Sequence, residues 1–196
     1  MNDAQITNTE QMEYAQIIEK QSLHMQNLLD DLNLTMRLRH QQLPLTLNEV
    51  NMVPFIREIV IETLNTPQYE QANLTFEATT ENSLHQIDEH FMRRAIMNFL
   101  HNALLHNAPD VSVHVSVDEH TLSISDNGKG GIAPPEDLEH IFERYYRGTN
   151  TDNTAGTGLG TAIARDIIEA HGGTVTITSE KGKGTCVIID LQKGYQ

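Results

Sequence analysis

One cysteine and no tryptophan occur in these 196 residues. A single thiol builds neither a disulfide framework nor a zinc site. Cys186 stands between Thr185 and Val187-Ile188-Ile189, where it reads as a small residue of a buried strand, in keeping with a reducing compartment. Positive charge is also scarce. Thirteen Lys and Arg face 27 Asp and Glu, for a formal net charge of −14. That excludes nonspecific nucleic-acid binding, which needs a basic footprint, and means that an anionic ligand must be gripped by local groups. No apolar run is long enough to span a membrane, so no membrane contact is expected of this chain, and no secretory signal follows Met1. The ten histidines show no metal-ligand spacing. Repeats and low-complexity tracts are absent, and neither Gly nor Pro occurs before Pro44.

That uninterrupted stretch is patterned as a helix from about Thr9 to Gln42. Tyr14, Ile18, Met25, Leu29, Leu32 and Met36 recur at helical spacing, and Ile17, Leu28 and Leu38 widen the stripe. A helix of this length with one apolar stripe calls for a partner helix. Pro44 ends it. The organisation expected is a helical segment over residues 1–43 and a globular domain over 44–196. In that domain Leu45-Thr46-Leu47 alternates like a short strand. Asn51 is placed to cap a helix with Pro54 in its first turn, and its buried face is Phe55, Ile56, Ile59, Val60 and Leu64. Strands follow at 74–78 and 83–87. Asp88 precedes a strong helix over about 89–107, with Phe91, Ala95, Ile96, Phe99, Leu100 and Ala103 on its apolar face. Residues 111–117 and 121–125 alternate as a hairpin. A long connection from Ile132 to Ala155, with one short helix at 135–142, has the length of a binding loop or lid. A helix to His171 and a strand pair at 174–179 and 184–191 complete the chain. Helices alternating with antiparallel pairs give an α+β class, with helices on one face of a mixed, largely antiparallel sheet.

Four sets of residues can carry chemistry. Gly156-Thr157-Gly158-Leu159-Gly160 leads directly into a helix, and glycines followed by a helix N-terminus make an anion site. Asn98 and Asn102 lie four apart on one face of an otherwise apolar helix, where unsatisfied amides are costly. An amide oxygen suits Mg2+, which keeps waters and takes other ligands from substrate phosphates. Asp126 ends an apolar strand and needs a donor there; a purine amine is one candidate and an Asx turn onto Gly128 is the other. Arg144 and Arg147, beside Tyr145 and Tyr146, offer cations to a terminal phosphate or simply to solvent.

In this order the four sets resemble the ATP-binding, catalytic part of two-component sensor histidine kinases, whose Bergerat fold is shared with gyrase. Asn98-Phe99-Leu100-His101-Asn102 through His106 resembles the family's N box, Ile124 to Gly130 its G1 box, Ile141 to Gly148 its F box and Gly156 to Gly160 its G2 box. Gly182-Lys183-Gly184-Thr185 resembles the final glycine motif. The resemblance covers about residues 9–191. It implies ATP and Mg2+ as ligands, with Asn102 on the metal and Asn98 orienting phosphates and metal waters. It implies that Asp126 accepts from the adenine amine with Thr185 nearby, and that Gly128, Gly130 and Ile132 shape the adenine pocket. Tyr146 and Arg147 act from the lid, with His106 and Arg147 reaching the phosphates. Gly156, Thr157, Gly158, Leu159 and Gly160 form the phosphate-facing backbone. Gyrase-like relatives place a Glu at the position of Asn98. An amide cannot be the general base that activates water, which fits transfer to a protein nucleophile.

The resemblance extends to Tyr14–Leu38, which is similar to the second helix of the family's dimerisation hairpin. The first helix, with the phospho-accepting histidine in its Ser-His-Glu-x-x-x-Pro-like setting, has no counterpart here, and His24 lacks those neighbours. The chain is therefore expected to begin in the loop between the two helices, as a cytoplasmic fragment of a membrane-anchored receptor. Its implied partners are the histidine-bearing helix, a response regulator receiver domain and a second copy through the N-terminal helix. Departures from the family pattern are the extra glycine in Lys129-Gly130-Gly131-Ile132, Leu105 where many members have Lys, and Thr161 in place of an apolar residue; each is expected to lower nucleotide affinity. Two other readings share the fold: an anti-sigma-factor-type serine kinase or binding switch, which usually lacks the long helix, and a nucleotide-binding adaptor that signals by helix pairing alone.

Overall fold

The computed structural model describes residues 8–39, 43–69, 72–105, 107, 111–128, 136–146, 158–180 and 182–191. Helix α1 is Asn8–Arg39. The stripe read from its sequence stays in solvent, with Tyr14, Ile18, Met25, Leu29, Leu32 and Met36 between 39% and 65% exposed. The helix is held to the rest of the chain near its C-terminal end instead. There Leu34 and Thr35 are buried, Leu38 packs against the core, and Asp31 forms an ion pair with Arg94.

Leu45-Thr46-Leu47 does not form a strand. The strand β1 begins at Asn48 and ends at Asn51, because pairing depends on a partner and not on alternation alone. Its partner β3, Leu84–Ile87, runs antiparallel and reaches only from Asn48 to Asn51. The Thr46 N–H is taken by Asp88 Oδ2 at 2.8 Å. Helix α2, Met52–Leu64, starts as its sequence predicts: Asn51 Oδ1 accepts from the Val53 N–H. Phe55, Ile56, Ile59 and Val60 are buried, and Leu64 is partly so.

The main sheet has five strands in the order β2-β4-β5-β7-β6. They are β2 (Asn73–Ala78), β4 (Ser112–Val117), β5 (Thr121–Asp126), β6 (Thr174–Glu180) and β7 (Gly184–Asp190). β2 and β4 are parallel and every other pair is antiparallel. Strand side chains alternate between faces. Val113, Val115 and Val117 of β4, Leu122 and Ile124 of β5, and Val187 and Ile189 of β7 therefore share one buried face. The opposite face is polar, with Ser116 and Ser123 hydroxyls 2.8 Å apart and Thr75 Oγ1 at 3.0 Å from His114 Nδ1.

Against the apolar face lie α2, α3 (Glu89–Leu105) and α5 (Gly160–Ala170). Ile56, Ile59, Ile96, Leu100, Ile163 and Ile167 fill the space between helices and sheet with essentially no solvent contact. Each such side chain contributes about 2 kcal/mol on leaving water. The short α4 (Glu136–His140) precedes the aromatic turn at residues 141–146. This is the expected α+β sandwich with a long preceding helix. The layer that matters for function is the antiparallel helix pair α3 and α5, with α3 against β5 and α5 against β6.

Candidate functional site

Asn98 and Asn102 both meet the start of α5. Asn98 Nδ2 donates to the Arg94 carbonyl one turn back at 3.1 Å, which turns its Oδ1 toward Gly160. A Cβ on Gly160 would sit 2.5 Å from that oxygen, so any larger residue here would push the Asn98 amide aside. One turn further along α3, Asn102 Nδ2 donates to the Thr161 hydroxyl at 3.3 Å. The two asparagines of α3 are thereby accounted for: they form the seam between α3 and the first turn of α5. His101, between them, is turned elsewhere, with its ring 5.5 Å from that of Tyr69; burial pushes its pKa down.

Among the described residues the start of α5 has no side-chain cap: Leu159 supplies none, and the first intrahelical bond runs from Ile163 N–H to the Leu159 carbonyl. First-turn N–H groups and the helix dipole favour an anion at such an end. The chain reaches it through Gly158, at φ +69°, whose carbonyl accepts from the Tyr145 N–H at 2.9 Å. Tyr145 is itself at φ +66°, in the left-handed region that a side chain disfavours. A Cβ on Gly158 would lie 2.7 Å from Tyr146 O. The aromatic turn and the glycine turn are thus clenched backbone to backbone.

Asp126 ends β5 on the helix-facing side, in line with Leu122 and Ile124. Its Oδ1 accepts from the Gly128 N–H at 2.8 Å, so the Asx turn foreseen as one of two readings is formed. Among the described residues none donates to Oδ2. The turn is braced from both sides. Asn127 Oδ1 accepts from Ser112 N–H at 2.8 Å. A Cβ on Gly128 would come 1.7 Å from Asn107 Oδ1. Asn107, whose Nδ2 donates to Ala103 O at 2.8 Å, joins the end of α3 to this turn; the sequence reading passed over it, and a polar residue just beyond a helix was the only hint. Gly184, at φ +104°, brings β7 so close that a Cβ would meet Asp126 O at 1.9 Å. Thr185, next along β7, shares the helix-facing side with Asp126, but its hydroxyl is engaged with that of Ser179 at 3.0 Å. Burial, and then the Asp126 carboxylate, push the Cys186 thiol pKa up.

The arginines separate. Arg144, read as a cation for phosphate or solvent, is tied to Asp166 of α5 at 2.5 Å, and Arg165 lies over the Phe142 ring at 5.0 Å. They anchor the aromatic turn to the helix. The Tyr146 ring packs 5.6 Å from that of His140. His106, Gly130, Ile132, Arg147, Gly156 and Thr157 lie outside the described residues. A cleft of about 480 Å³ opens between the end of α1 and the aromatic turn, lined by Arg39, Phe142, Tyr145 and Arg165 among others. None of the seam residues lines it.

Residues 87–194 match the family of histidine kinase-, DNA gyrase B- and HSP90-like ATPases. Over 186 residues the chain is 36% identical to sensor histidine kinase YvrG of Bacillus subtilis (strain 168), covering 92% of this chain and 32% of that protein. It is 29% identical to sensor histidine kinase YkoH of the same organism, covering 92% of this chain and 39% of that one. The chain thus spans about a third of the length of these relatives. In fold it is similar to full-length ShkA solved in complex with AMPPNP, at a TM-score of 0.77 and 22% identity over 99% of this chain and 41% of that one. The mycobacterial sensor histidine kinase MprB aligns at a TM-score of 0.60 and 26% identity, over 72% of this chain and 95% of that one. The chain belongs to the histidine kinase-, DNA gyrase B- and HSP90-like ATPase family, and within it to the ATP-binding domains of sensor histidine kinases.

Proposed function

We propose that this chain is the phosphoryl-donating part of a sensor histidine kinase. It holds Mg-ATP between α3, the turn after β5 and the start of α5, and gives the γ-phosphoryl group to a histidine on a dimerisation helix for relay to a response regulator receiver domain. The observation that carries the reading is the seam itself, two amides of α3 against a helix N-terminus that Leu159 leaves without a side-chain cap. Adenine is recognised by Asp126, whose Oδ1 is fixed by Gly128. Gly158, Leu159 and Gly160 then carry the phosphates, with Asn98 orienting them. His106, Gly130, Ile132, Tyr146, Arg147, Gly156 and Thr157 take the roles that the family resemblance implies.

A magnesium ion fits this donor set. With Nδ2 of Asn102 given to Thr161, Oδ1 is the atom left to accept, and one neutral oxygen suits an ion that otherwise binds water and phosphate. Among the described residues no group of three or more His, Cys, Asp and Glu offers a metal cage. Bound there, the ion would neutralise charge on the phosphates. The residues of the chain would hold the nucleotide while the acceptor imidazole nitrogen attacks the γ-phosphorus. A P–N bond forms, the bond to the ADP oxygen breaks, and the imidazolium proton leaves to water. Asn98 supplies no base for attack by water.

The exposed stripe of α1 supports pairing with a further helix, of a dimerisation hairpin or of a second copy, and supports a boundary near residue 43. That long helix and the likeness to sensor histidine kinases favour this reading over the serine kinase switch. No described helix is long and apolar enough to cross a membrane. Calorimetric titration with Mg-ATP tests the nucleotide site. Asp126→Asn is expected to weaken binding about tenfold, the loss of one charge-assisted hydrogen bond, with an unchanged melting temperature because an amide oxygen still accepts from Gly128. Equal affinity in the two proteins rejects the adenine assignment.

A further inference from the structure

His171 follows the last turn of α5 and is 5% exposed. Its Nδ1 contacts the Ile167 carbonyl at 2.7 Å, an atom that can only accept, so the proton sits on Nδ1. Nε2 is left with a lone pair, and it accepts the backbone N–H of Asp88 at 3.0 Å. Asp88 is the cap of α3. Its Oδ1 accepts from the His90 and Phe91 N–H groups at 3.1 and 3.3 Å, and its Oδ2 from Thr46. One neutral imidazole therefore ties the end of α5 to the beginning of α3.

At the other end of the same antiparallel pair stand Asn98 against Gly160 and Asn102 against Thr161. Between the two ends the contact is apolar, through Ile163, Ala164, Ile167 and Ile168 on α5. Apolar burial is non-directional and holds helices together without fixing how far one slides along the other. A helix is stiff along its axis, and α5 is about 16 Å long at 1.5 Å per residue. Its C-terminal tie thus sets the position of its N-terminal turn.

We infer that His171 is a positioning residue for the nucleotide: by accepting the Asp88 N–H it fixes the register of α5 on α3, and with it the place of the α5 N-terminus relative to Asn98 and Asn102. The inference rests on the nucleotide site proposed above. It also makes that site acid-sensitive. A proton on Nε2 would set two N–H donors face to face and open the tie. Among the described residues the charge that acts on the ring is the Asp88 carboxylate at the head of α3; on its own element Glu169 pairs with Arg165. Burial lowers the ring pKa below its usual 6.5, against the Ile167 carbonyl and the Asp88 carboxylate, which raise it.

The test is Mg-AMPPNP affinity at pH 7.5 and pH 5.5 for the intact chain, His171→Gln and His171→Leu, with a thermal melt of each. A glutamine oxygen can replace Nε2 as acceptor but does not titrate. His171→Gln is expected to bind within about twofold of the parent at the higher pH. At the lower pH the parent should lose more affinity than His171→Gln, as the competent fraction falls. His171→Leu, where its melt is cooperative, should bind about fivefold more weakly at both. Parallel acid losses in the parent and His171→Gln overturn the inference, as does full affinity in a folded His171→Leu. A parent chain that binds no nucleotide at pH 7.5 fails the proposed function itself.

Discussion

The amide nitrogen of Asn102 lies 3.3 Å from the hydroxyl of Thr161, across 59 residues of sequence. The contact fixes which way the amide faces. It orients one of the two asparagines of α3 and, in the site proposed above, would leave Oδ1 to the metal, so that Thr161, a departure expected to lower affinity, would support binding instead.

Thr161→Val should leave the fold intact and reduce the gain in ATP affinity on adding Mg2+ by about tenfold, the usual cost of losing a group that orients a metal ligand. Thr161→Ser should keep the gain. The readout is nucleotide affinity with and without Mg2+. An unaltered Mg2+ effect in the valine variant would remove Thr161 from the site.

The ion pair between Asp31 and Arg94 joins α1 to α3, with side chains 22% and 28% exposed. Charge reversal at either position should lower the melting temperature and free the end of α1, at a cost of about 1 kcal/mol. The double exchange, Asp31→Arg with Arg94→Asp, should restore most of it. A double-mutant cycle with no coupling would show that Leu34 and Thr35 hold the helix alone.

Acid should destabilise the fold through His171. Its pKa is lowered in the folded chain by burial, so the unfolded chain binds more protons below pH 6.5. Stability rises with pH wherever the unfolded state holds more protons. The contribution is therefore complete above pH 6.5, lost progressively as pH falls below it, and level once the folded ring is itself protonated. Melting temperature against pH for the parent and His171→Gln isolates it, since the glutamine variant lacks this component. Identical slopes would mean that the ring does not titrate as described.

Much of the fold could be read from local pattern. The period of α3, the Asn51 cap and the two hairpins depend on neighbours a few residues away, and they stand where alternation and capping put them. What was not legible depends on distant partners. Leu45–Leu47 alternates, yet the strand lies at Asn48–Asn51 because β3 pairs only there. Leu34 falls outside the apolar stripe of α1 and is nonetheless buried, with Thr35 beside it, where α1 packs against α5. Arg144 resembled a phosphate cation until Asp166, 22 residues on, took it. His171 was one histidine of ten, and nothing near it names Asp88, 83 residues earlier, as its partner. Of the site, the amide pair, the Asx turn and the glycine helix start were legible as chemistry; that the amides and the glycines form one seam was not, because α3 and α5 meet only in the folded chain.

The central claim is that the seam holds ATP for transfer to a histidine outside this chain. Incubation with γ-phosphate-labelled ATP and Mg2+, with and without a separately supplied helical hairpin bearing the acceptor histidine, tests it most directly. The account predicts acid-labile, alkali-stable label on the hairpin, none on this chain, and about tenfold less hairpin label with Asp126→Asn at ATP well below saturation. Acid-stable phosphate on this chain, or free phosphate released at the same rate with no hairpin labelled, would contradict it.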